Sequence, residues 1–104
     1  MIIREWRGRA SEPRAEAYPK HFRAAVVPEL RNVPGFLGAH LSRRRMGECV
    51  EFLVLTRWRS MDAIRAFAGG TVDRAVVEPG AVAALDDFDA NVQHYEVIEE
   101  VSAA

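Results

Sequence analysis

The sequence has few of the features that mark several protein classes. Its 104 residues include one cysteine, so no internal disulfide can form, and a cytoplasmic location is expected. No apolar run approaches the roughly 20 residues of a membrane span, and residues 1–10 lack the apolar core of a secretory signal. The net charge of −1 argues against nucleic-acid binding through bulk positive charge. We therefore expect one domain over residues 1–104, with neither nucleic acid nor membrane as a partner.

The sequence also lacks the common motifs of cofactor and metal sites. No Gly-rich phosphate loop follows a strand, because Gly69 and Gly70 come at the end of a helical pattern. Asp86, Asp87 and Asp89 are acidic, but no second cluster of oxygen, His or Cys ligands accompanies them. We therefore expect no metal site and no nucleotide cofactor.

The stretch over residues 50–70 is the most informative part of the chain. Residues 52–55 are all apolar, so this strand is apolar on both faces instead of alternating with polar residues. Ser60 follows Trp58 at a position suited to an N-cap, and apolar residues then recur at helical spacing as far as Gly69. The pattern predicts a strand that leads directly into an amphipathic helix.

Hydrophobic periodicity and turn residues predict the remaining elements. We expect the first helix to kink or break near Tyr18, because Pro19 removes a hydrogen bond, and to bend or restart at Pro28. In chain order the prediction is a strand over 2–9, a helix over 11–30, strands over 36–45 and 50–58, a helix over 61–68, a short helix over 72–77, one further turn over 81–85, a loop over 86–89 and a last strand over 90–101.

This order predicts the α+β, ferredoxin-like β-α-β-β-α-β arrangement, with an antiparallel sheet and both helices on one face. The other face would then be open, although the strand over 50–58 is apolar on both sides. A chain of this length has nothing left to cover that face. We therefore predict a homodimer that packs sheet against sheet.

Several stretches resemble the antibiotic biosynthesis monooxygenase superfamily. They are the Val-Pro-Gly-Phe of residues 33–36, the strand and helix residues over 51–67, and the His-Tyr-Glu-Val of residues 94–97. The resemblance covers nearly the whole chain and preserves the order of elements. It implies a dimeric α+β barrel with a pocket between sheet and helices in each subunit. Some members oxidise quinols or anthrones with O2 and neither metal nor organic cofactor, and some degrade haem.

The residues of the haem-degrading branch are not matched. That branch uses an Asn on the first strand, a Trp on the second helix and a His further along it. The corresponding places here hold Trp6 or Arg7, Phe67 and Val77. The comparison argues against haem degradation by that arrangement.

The anthrone-oxidising branch is matched at one position. Its Trp at the end of the third strand corresponds to Trp58, whereas its Asn and its helix Tyr fall at Val54 and Ile64. Trp58 is therefore the one residue whose role the resemblance carries over.

Trp58 and two histidines are the candidate catalytic residues. Trp58 can stack on a flat aromatic and donate through its indole N–H, or it closes the strand–helix corner as a core residue. His94 can remove a phenolic proton, or it is a hydrogen-bonded sheet histidine. His40 has the same two interpretations, and we expect it on one strand face with Phe36, Gly38 and Ser42. If His40 and His94 share a sheet face, they can line one cavity.

Three aromatic residues are the candidate substrate-binding residues: Tyr18, Phe22 and Phe67. Core packing explains them equally well. The first interpretation is a cofactor-independent monooxygenase, in which a histidine helps to form a substrate anion that reacts with O2. The alternatives are a ligand-binding or interaction dimer without catalysis, and haem binding through His40 or His94.

Overall fold

The structure, a computed structural model, describes residues 1–104 and consists of one antiparallel sheet with helices packed on one face. The strands are β1 (Ile2–Ser11), β2 (Phe36–Met46), β3 (Cys49–Trp58), β4 (Asp87–Phe88) and β5 (Gln93–Glu96). The helices are α1 (Ala17–His21), α2 (Val27–Arg31), α3 (Met61–Ala68) and α4 (Pro79–Ala84). A 3-10 turn (Glu12–Arg14) precedes α1, and a π-helical segment (Phe22–Val26) joins α1 to α2.

The strands are ordered β2-β3-β1, and β4 and β5 both pair with the remaining edge of β1. β1 and β3 pair along their whole length, from Ile2 opposite Trp58 to Ser11 opposite Cys49. This is the predicted α+β arrangement with an antiparallel sheet, and that prediction is confirmed. The sheet does not close on itself within the chain.

Alternation along β1 and β3 separates two faces of the sheet. The even-numbered residues point toward the helices, and there Phe52 and Trp58 are fully buried, as is Ile64 of α3. We call the opposite side the open face. Leu53 and Leu55 of β3 lie half-buried on it, since no element of the chain covers them. The core therefore lies between the sheet and the helices.

The corner between β3 and α3 forms as predicted. The Ser60 hydroxyl accepts a hydrogen bond from the Ala63 amide at 3.2 Å, which satisfies one free N–H of the first helical turn. Gly69 ends α3 with φ of 83°, a conformation that favours glycine. The corner sets α3 directly over the end of β3.

The two prolines of the first helical region each lie near the start of a helix. The interruption comes at Ala15 and Glu16, before α1, and Pro19 lies in the first turn of α1, where its missing N–H costs little. Pro28 is near the start of α2, and the Val27 amide bonds back to the Phe22 carbonyl across the π-helical segment. Helical segments therefore follow one another without a gap from Ala17 to Arg31.

The prediction of a helix over 72–77 is wrong. Residues 71–74 form a turn, and the segment is tied to a neighbouring stretch: the Ala75 amide donates to the Ala90 carbonyl at 2.9 Å, and the Val92 amide donates to the Asp73 carbonyl at 2.8 Å. Pro79 does not end a helix but begins α4. These long-range hydrogen bonds override a local pattern that favoured a helix.

The last part of the chain also differs from the prediction. The final strand spans only Gln93–Glu96, whereas residues 97–104 form no regular structure. The expected loop over 86–89 contains the short strand β4, which pairs with Gly8 and Arg9 of β1. Two short strands thus share the edge that one long strand was expected to fill.

A bulge in β2 changes the faces of its side chains. The register shifts between Phe36 and Gly38, so Phe36 packs edge-on against Trp58 on the helix side, with ring centroids 5.4 Å apart. Gly38 and His40 lie beyond the shift, on the open face. The expectation that Phe36 shares a face with Gly38, His40 and Ser42 is therefore wrong.

None of the helices combines the length and hydropathy that crossing a bilayer would need.

Candidate functional site: a cavity between sheet and helices

A cavity lies between the helix-facing side of the sheet and the helices. Its empty volume is about 660 Å³, open space at the mouth included. Ten of its fourteen lining residues are apolar or aromatic: Trp6, Tyr18, Val26, Leu30, Val54, Phe67, Ala75, Val76, Ala81 and Val92. The polar residues are Arg4, Glu29, Thr56 and Glu78. A largely apolar cavity with a few polar groups is typical of a small-molecule site.

Arg4 is the most unusual residue of this cavity. It lies at a helix-facing position of β1, between Thr56 of β3 and His94 of β5, and only 5% of its surface is exposed. Its Nη1 donates to the Val72 carbonyl at 2.7 Å and lies 2.9 Å from His94 Nε2, and its Nη2 donates to the Arg74 carbonyl at 3.0 Å. These bonds use three of the five N–H groups of the guanidinium, so two remain for a ligand.

The charge of Arg4 is poorly compensated. No carboxylate forms an ion pair with it, and burial lowers its pKa while the charge of Asp73 acts in the opposite direction. Taking a cation out of water costs free energy unless a counter-charge comes with it. The cavity therefore offers a desolvated positive charge with free donors, which suits an anionic oxygen of a ligand.

His94 lies behind Arg4, away from the cavity lining. Its Nε2 faces Arg4, and its Nδ1 lies 3.3 Å from an Asp73 carboxylate oxygen. Because Arg4 can only donate, this arrangement assigns the proton of the neutral ring to Nδ1. Burial and then the charge of Arg4 lower the pKa of His94, while Asp73 opposes both. His94 is thus a neutral acceptor that fixes the orientation of Arg4.

Trp58 lies one layer behind the cavity wall. It is fully buried, and its indole N–H donates to the Thr56 hydroxyl at 2.8 Å; that hydroxyl in turn donates to the Arg4 carbonyl at 3.4 Å. Its ring packs on Phe67, with centroids 5.3 Å apart. Trp58 therefore reaches the cavity only through Thr56 and Phe67, both of which line it.

Of the three predicted substrate-binding aromatics, two line the cavity. Tyr18 packs against Trp6 with ring centroids 5.9 Å apart, and Phe67 lies under Arg4, whose Cζ is 5.9 Å from the ring centroid. Phe22 is buried in the core and does not line the cavity. Tyr18 and Phe67 would flank a flat ligand.

His40 lies apart from the cavity. It is exposed on the open face, opposite Leu55, whereas His94 is on the helix side of the sheet. The two histidines therefore cannot line one cavity, because alternation and the β2 bulge put them on opposite faces.

Several lining residues were not among the predicted site residues, and they include Arg4, Trp6, Glu29 and Glu78. Arg4 had a usable signal, since it is a charged residue between Ile2 and Trp6 on the inward side of an otherwise amphipathic strand. No sequence signal pointed to Glu29 and Glu78, because 48 residues of chain separate them and only the fold brings them to one cavity. The structure shows no cluster of three or more His, Cys, Asp or Glu side chains arranged to hold a metal ion.

Comparison with known proteins gives this fold a family. The family model described as antibiotic biosynthesis monooxygenase matches residues 1–79. The chain belongs to this family. No curated protein matches the sequence. The resemblance seen in the sequence is thus confirmed.

Solved structures share the fold over nearly the whole chain. A protein proposed to be an antibiotic biosynthesis monooxygenase from Deinococcus radiodurans has 20% identity and a TM-score of 0.66, covering 100% of this chain and 99% of its own. A similar proposed monooxygenase from Bacillus cereus has 19% identity and a TM-score of 0.65, with 98% and 97% covered. The heme degrader MhuD from Mycobacterium tuberculosis, with two hemes bound, has 23% identity and a TM-score of 0.64, with 98% and 100% covered. At these identities the likeness shows the fold alone.

Proposed function

We propose that this antibiotic biosynthesis monooxygenase family member is a cofactor-independent oxygenase. Its substrate would be a small flat aromatic of the quinol or anthrone type, bound in the cavity between sheet and helices. The observation that carries the proposal is Arg4, a buried cation with two free N–H groups in a largely apolar cavity. This is the environment that a substrate anion needs, and O2 reacts with such an anion far more readily than with its neutral acid.

Arg4 would promote formation of the anion. A cation close to an acidic hydroxyl lowers the pKa of that hydroxyl, so the substrate gives up its proton to bulk water as it enters the cavity. Two electrons of the anion and two more from the same carbon then reduce O2. For a CH2 group, one oxygen atom becomes the product carbonyl and the other leaves as water, so that CH2 and O2 give C=O and H2O. No electrons are needed from any other donor.

The remaining side chains would position and shield the substrate. Tyr18 and Phe67 flank the ring, and the apolar lining excludes water that would quench the anion. His94 was predicted to be a base, but its two ring nitrogens face Arg4 and Asp73. We therefore assign it the role of a positioning residue for Arg4. Trp58 acts in the same indirect way, through the Thr56 hydroxyl.

The proposal does not extend to haem. His94 has both nitrogens engaged, and His40 lies exposed on the other face of the sheet. The described cavity therefore has no free imidazole to ligate an iron.

We also propose that the protein is a cytoplasmic homodimer that packs open face to open face. The uncovered open face supports this, because Leu53 and Leu55 lie half-buried on it and no element of the chain packs against them. The Arg57 guanidinium also lies on this face, so close to Gly38 that an added Cβ would clash with Nη2. Sedimentation equilibrium tests the dimer: the wild type should be dimeric at micromolar concentration, and Gly38→Ala, which must displace Arg57, should dissociate more readily. A monomeric wild type would contradict this part of the proposal.

The oxygenase itself is tested by oxygen uptake of chelator-treated protein with a panel of anthrones and hydroquinones. We expect uptake above the autoxidation rate, one O2 per substrate, and one atom of labelled oxygen in the product. Binding without uptake across the panel would replace the oxygenase with a ligand-binding protein of the same fold.

A further inference from the structure

The rim of the cavity carries two carboxyl groups for which the proposed reaction has no use. Glu29 of α2 and Glu78, directly before α4, both line the cavity. Their side chains lie close enough to share a hydrogen bond, and this contact is the main reason that the pKa of Glu29 is raised, with burial and the charge of Glu78 adding to it. The fold thus brings two acids together at the entrance, where their mutual repulsion needs compensation.

Neither carboxyl has a cationic partner, although most acids of this arginine-rich chain are paired. The ion pairs include Glu51, Asp86 and Asp89, and none of them includes Glu29 or Glu78. Arg4 lines the same cavity, yet the only acid whose charge affects it is Asp73. The cavity therefore has a positive part at Arg4 and a separate negative part at the glutamate pair.

A buried phenol lies beside the glutamates. Tyr18 is only 3% exposed and lines the cavity, and its hydroxyl has no hydrogen-bond partner in the chain. It is close enough to Glu78 for that charge to add to burial in raising the pKa of Tyr18. Because Tyr18 lines the cavity and its hydroxyl oxygen is not fully enclosed by the chain, that hydroxyl is available to a polar group of a ligand at the same place.

The chemistry of the missing group follows from these neighbours. Two carboxyls with no counter-ion favour a cation with several N–H donors. The ring faces of Tyr18 and Trp6 also favour a cation, since aromatic rings attract ammonium groups. The Tyr18 hydroxyl can accept one hydrogen bond from an N–H of that cation. A primary ammonium group satisfies all three features.

We propose that the glutamate pair and Tyr18 bind a basic amino group of the substrate, so that the ligand is an aromatic with an acidic oxygen at one end and an ammonium group at the other. The inference rests on the proposed function, which assigns the acidic oxygen to Arg4. It adds a substrate class that Arg4 alone does not specify.

Calorimetric binding of two matched probes at neutral pH tests the inference. The probes are 6-(aminomethyl)-2-naphthol and 6-(hydroxymethyl)-2-naphthol, which share the ring and the acidic hydroxyl and differ only in the amino group. The wild type should bind the amine at least about tenfold more tightly, the size of one charge-assisted hydrogen bond. The E29Q/E78Q double variant should lose this preference, and Glu48→Gln, an exposed hairpin acid, should keep it. Glu78→Gln alone should reduce the preference and serves if the double variant does not fold.

The outcomes separate this inference from the proposed function. Equal affinity of the wild type for both probes overturns the amino-group site, as does an amine preference that survives in E29Q/E78Q. Arg4→Gln should lower the affinity for both probes by the same factor. If Arg4→Gln changes neither affinity while the glutamate variants abolish the amine preference, the amino-group site stands and the assignment of the acidic oxygen to Arg4 fails.

Discussion

On strand β1, Arg4 points toward the helices and Arg9 toward the open face, and the two guanidinium groups have different partners. Arg9 pairs with Asp89 at 2.6 Å, Asp87 at 2.8 Å and Glu51 at 3.4 Å. Arg4 is more deeply buried and binds two backbone carbonyls and an imidazole instead. Hydrogen bonds to Asp89 and Asp87 raise the pKa of Arg9, whereas burial lowers that of Arg4.

The difference separates a structural role from a functional one. The arginine on the open face joins β1 to β3 and β4 through carboxylates that the chain supplies. The buried arginine has no carboxylate partner in the chain, and a buried charge of this kind is costly. Arg4 is therefore suited to a ligand that brings the counter-charge.

The largest effect is expected from Arg4→Gln. Removing a donor that stabilises developing negative charge typically lowers the rate by about 100-fold to 1000-fold, and we expect a loss of that size in oxygen uptake. Arg9→Gln is the matched control on the same strand and should change the rate by less than about threefold. Equal losses in the two variants would show that the two arginines do not differ in the way described.

Glu51→Gln should act on stability and not on turnover. The Glu51 carboxylate is buried under Arg44 at 2.9 Å, Arg9 at 3.4 Å and Arg7 at 4.0 Å. Its neutralisation should lower the free energy of unfolding by about 2 kcal/mol. This is less than the loss for a fully buried ion pair, because these arginines are partly exposed. Urea denaturation measures the loss. Unchanged stability with a tenfold lower rate would contradict a structural role for the open face.

Thr56→Val tests whether Trp58 works through its neighbour. The substitution leaves the buried Trp58 N–H without its acceptor, and we expect a loss of about 1–2 kcal/mol in the free energy of unfolding. Thr56→Ser keeps the hydroxyl and should retain most of that stability. Thermal or urea unfolding of the pair gives the comparison, and equal stabilities would show that the bond contributes nothing.

The smallest effect concerns pH. The pKa of His94 is lowered in the folded chain, mainly by burial, so the unfolded chain takes up a proton on this ring at a higher pH than the folded chain. The neutral ring therefore contributes its full share of the folding stability above about pH 6.5. This contribution is lost as the pH falls toward the pKa of His94 in the folded chain. Urea unfolding at about pH 7.5 and about pH 5 should show a smaller loss on acidification in His94→Gln than in wild type.

Local sequence patterns predicted much of the fold because its central elements are locally determined. The strand over 50–58 and the Ser60 cap follow from alternation and capping alone, and both are present. The segment over 72–77 was predicted wrongly because its conformation depends on hydrogen bonds to residues 90–92. Its carbonyls also bind Arg4, so the error concealed the partners of the central site residue.

The candidate site was less predictable than the fold. Tyr18 and Phe67 were identified because aromatic residues on amphipathic helices face the sheet. Arg4 was missed because a charged residue at the start of a strand normally reaches solvent, and only the tertiary structure encloses it. The opposite placement of His40 and His94 depends on one bulge in β2, and nothing in the sequence marked that bulge.

The most direct test of the central claim is the pKa of a phenolic probe bound in the cavity. A naphthol changes its absorbance on ionisation, so a pH titration of the complex reports the pKa of the bound hydroxyl. If Arg4 binds the anionic oxygen, this pKa should fall by at least about one unit on binding to wild type, and the fall should disappear in Arg4→Gln. A bound hydroxyl whose pKa is unchanged or raised in the wild type would contradict the account.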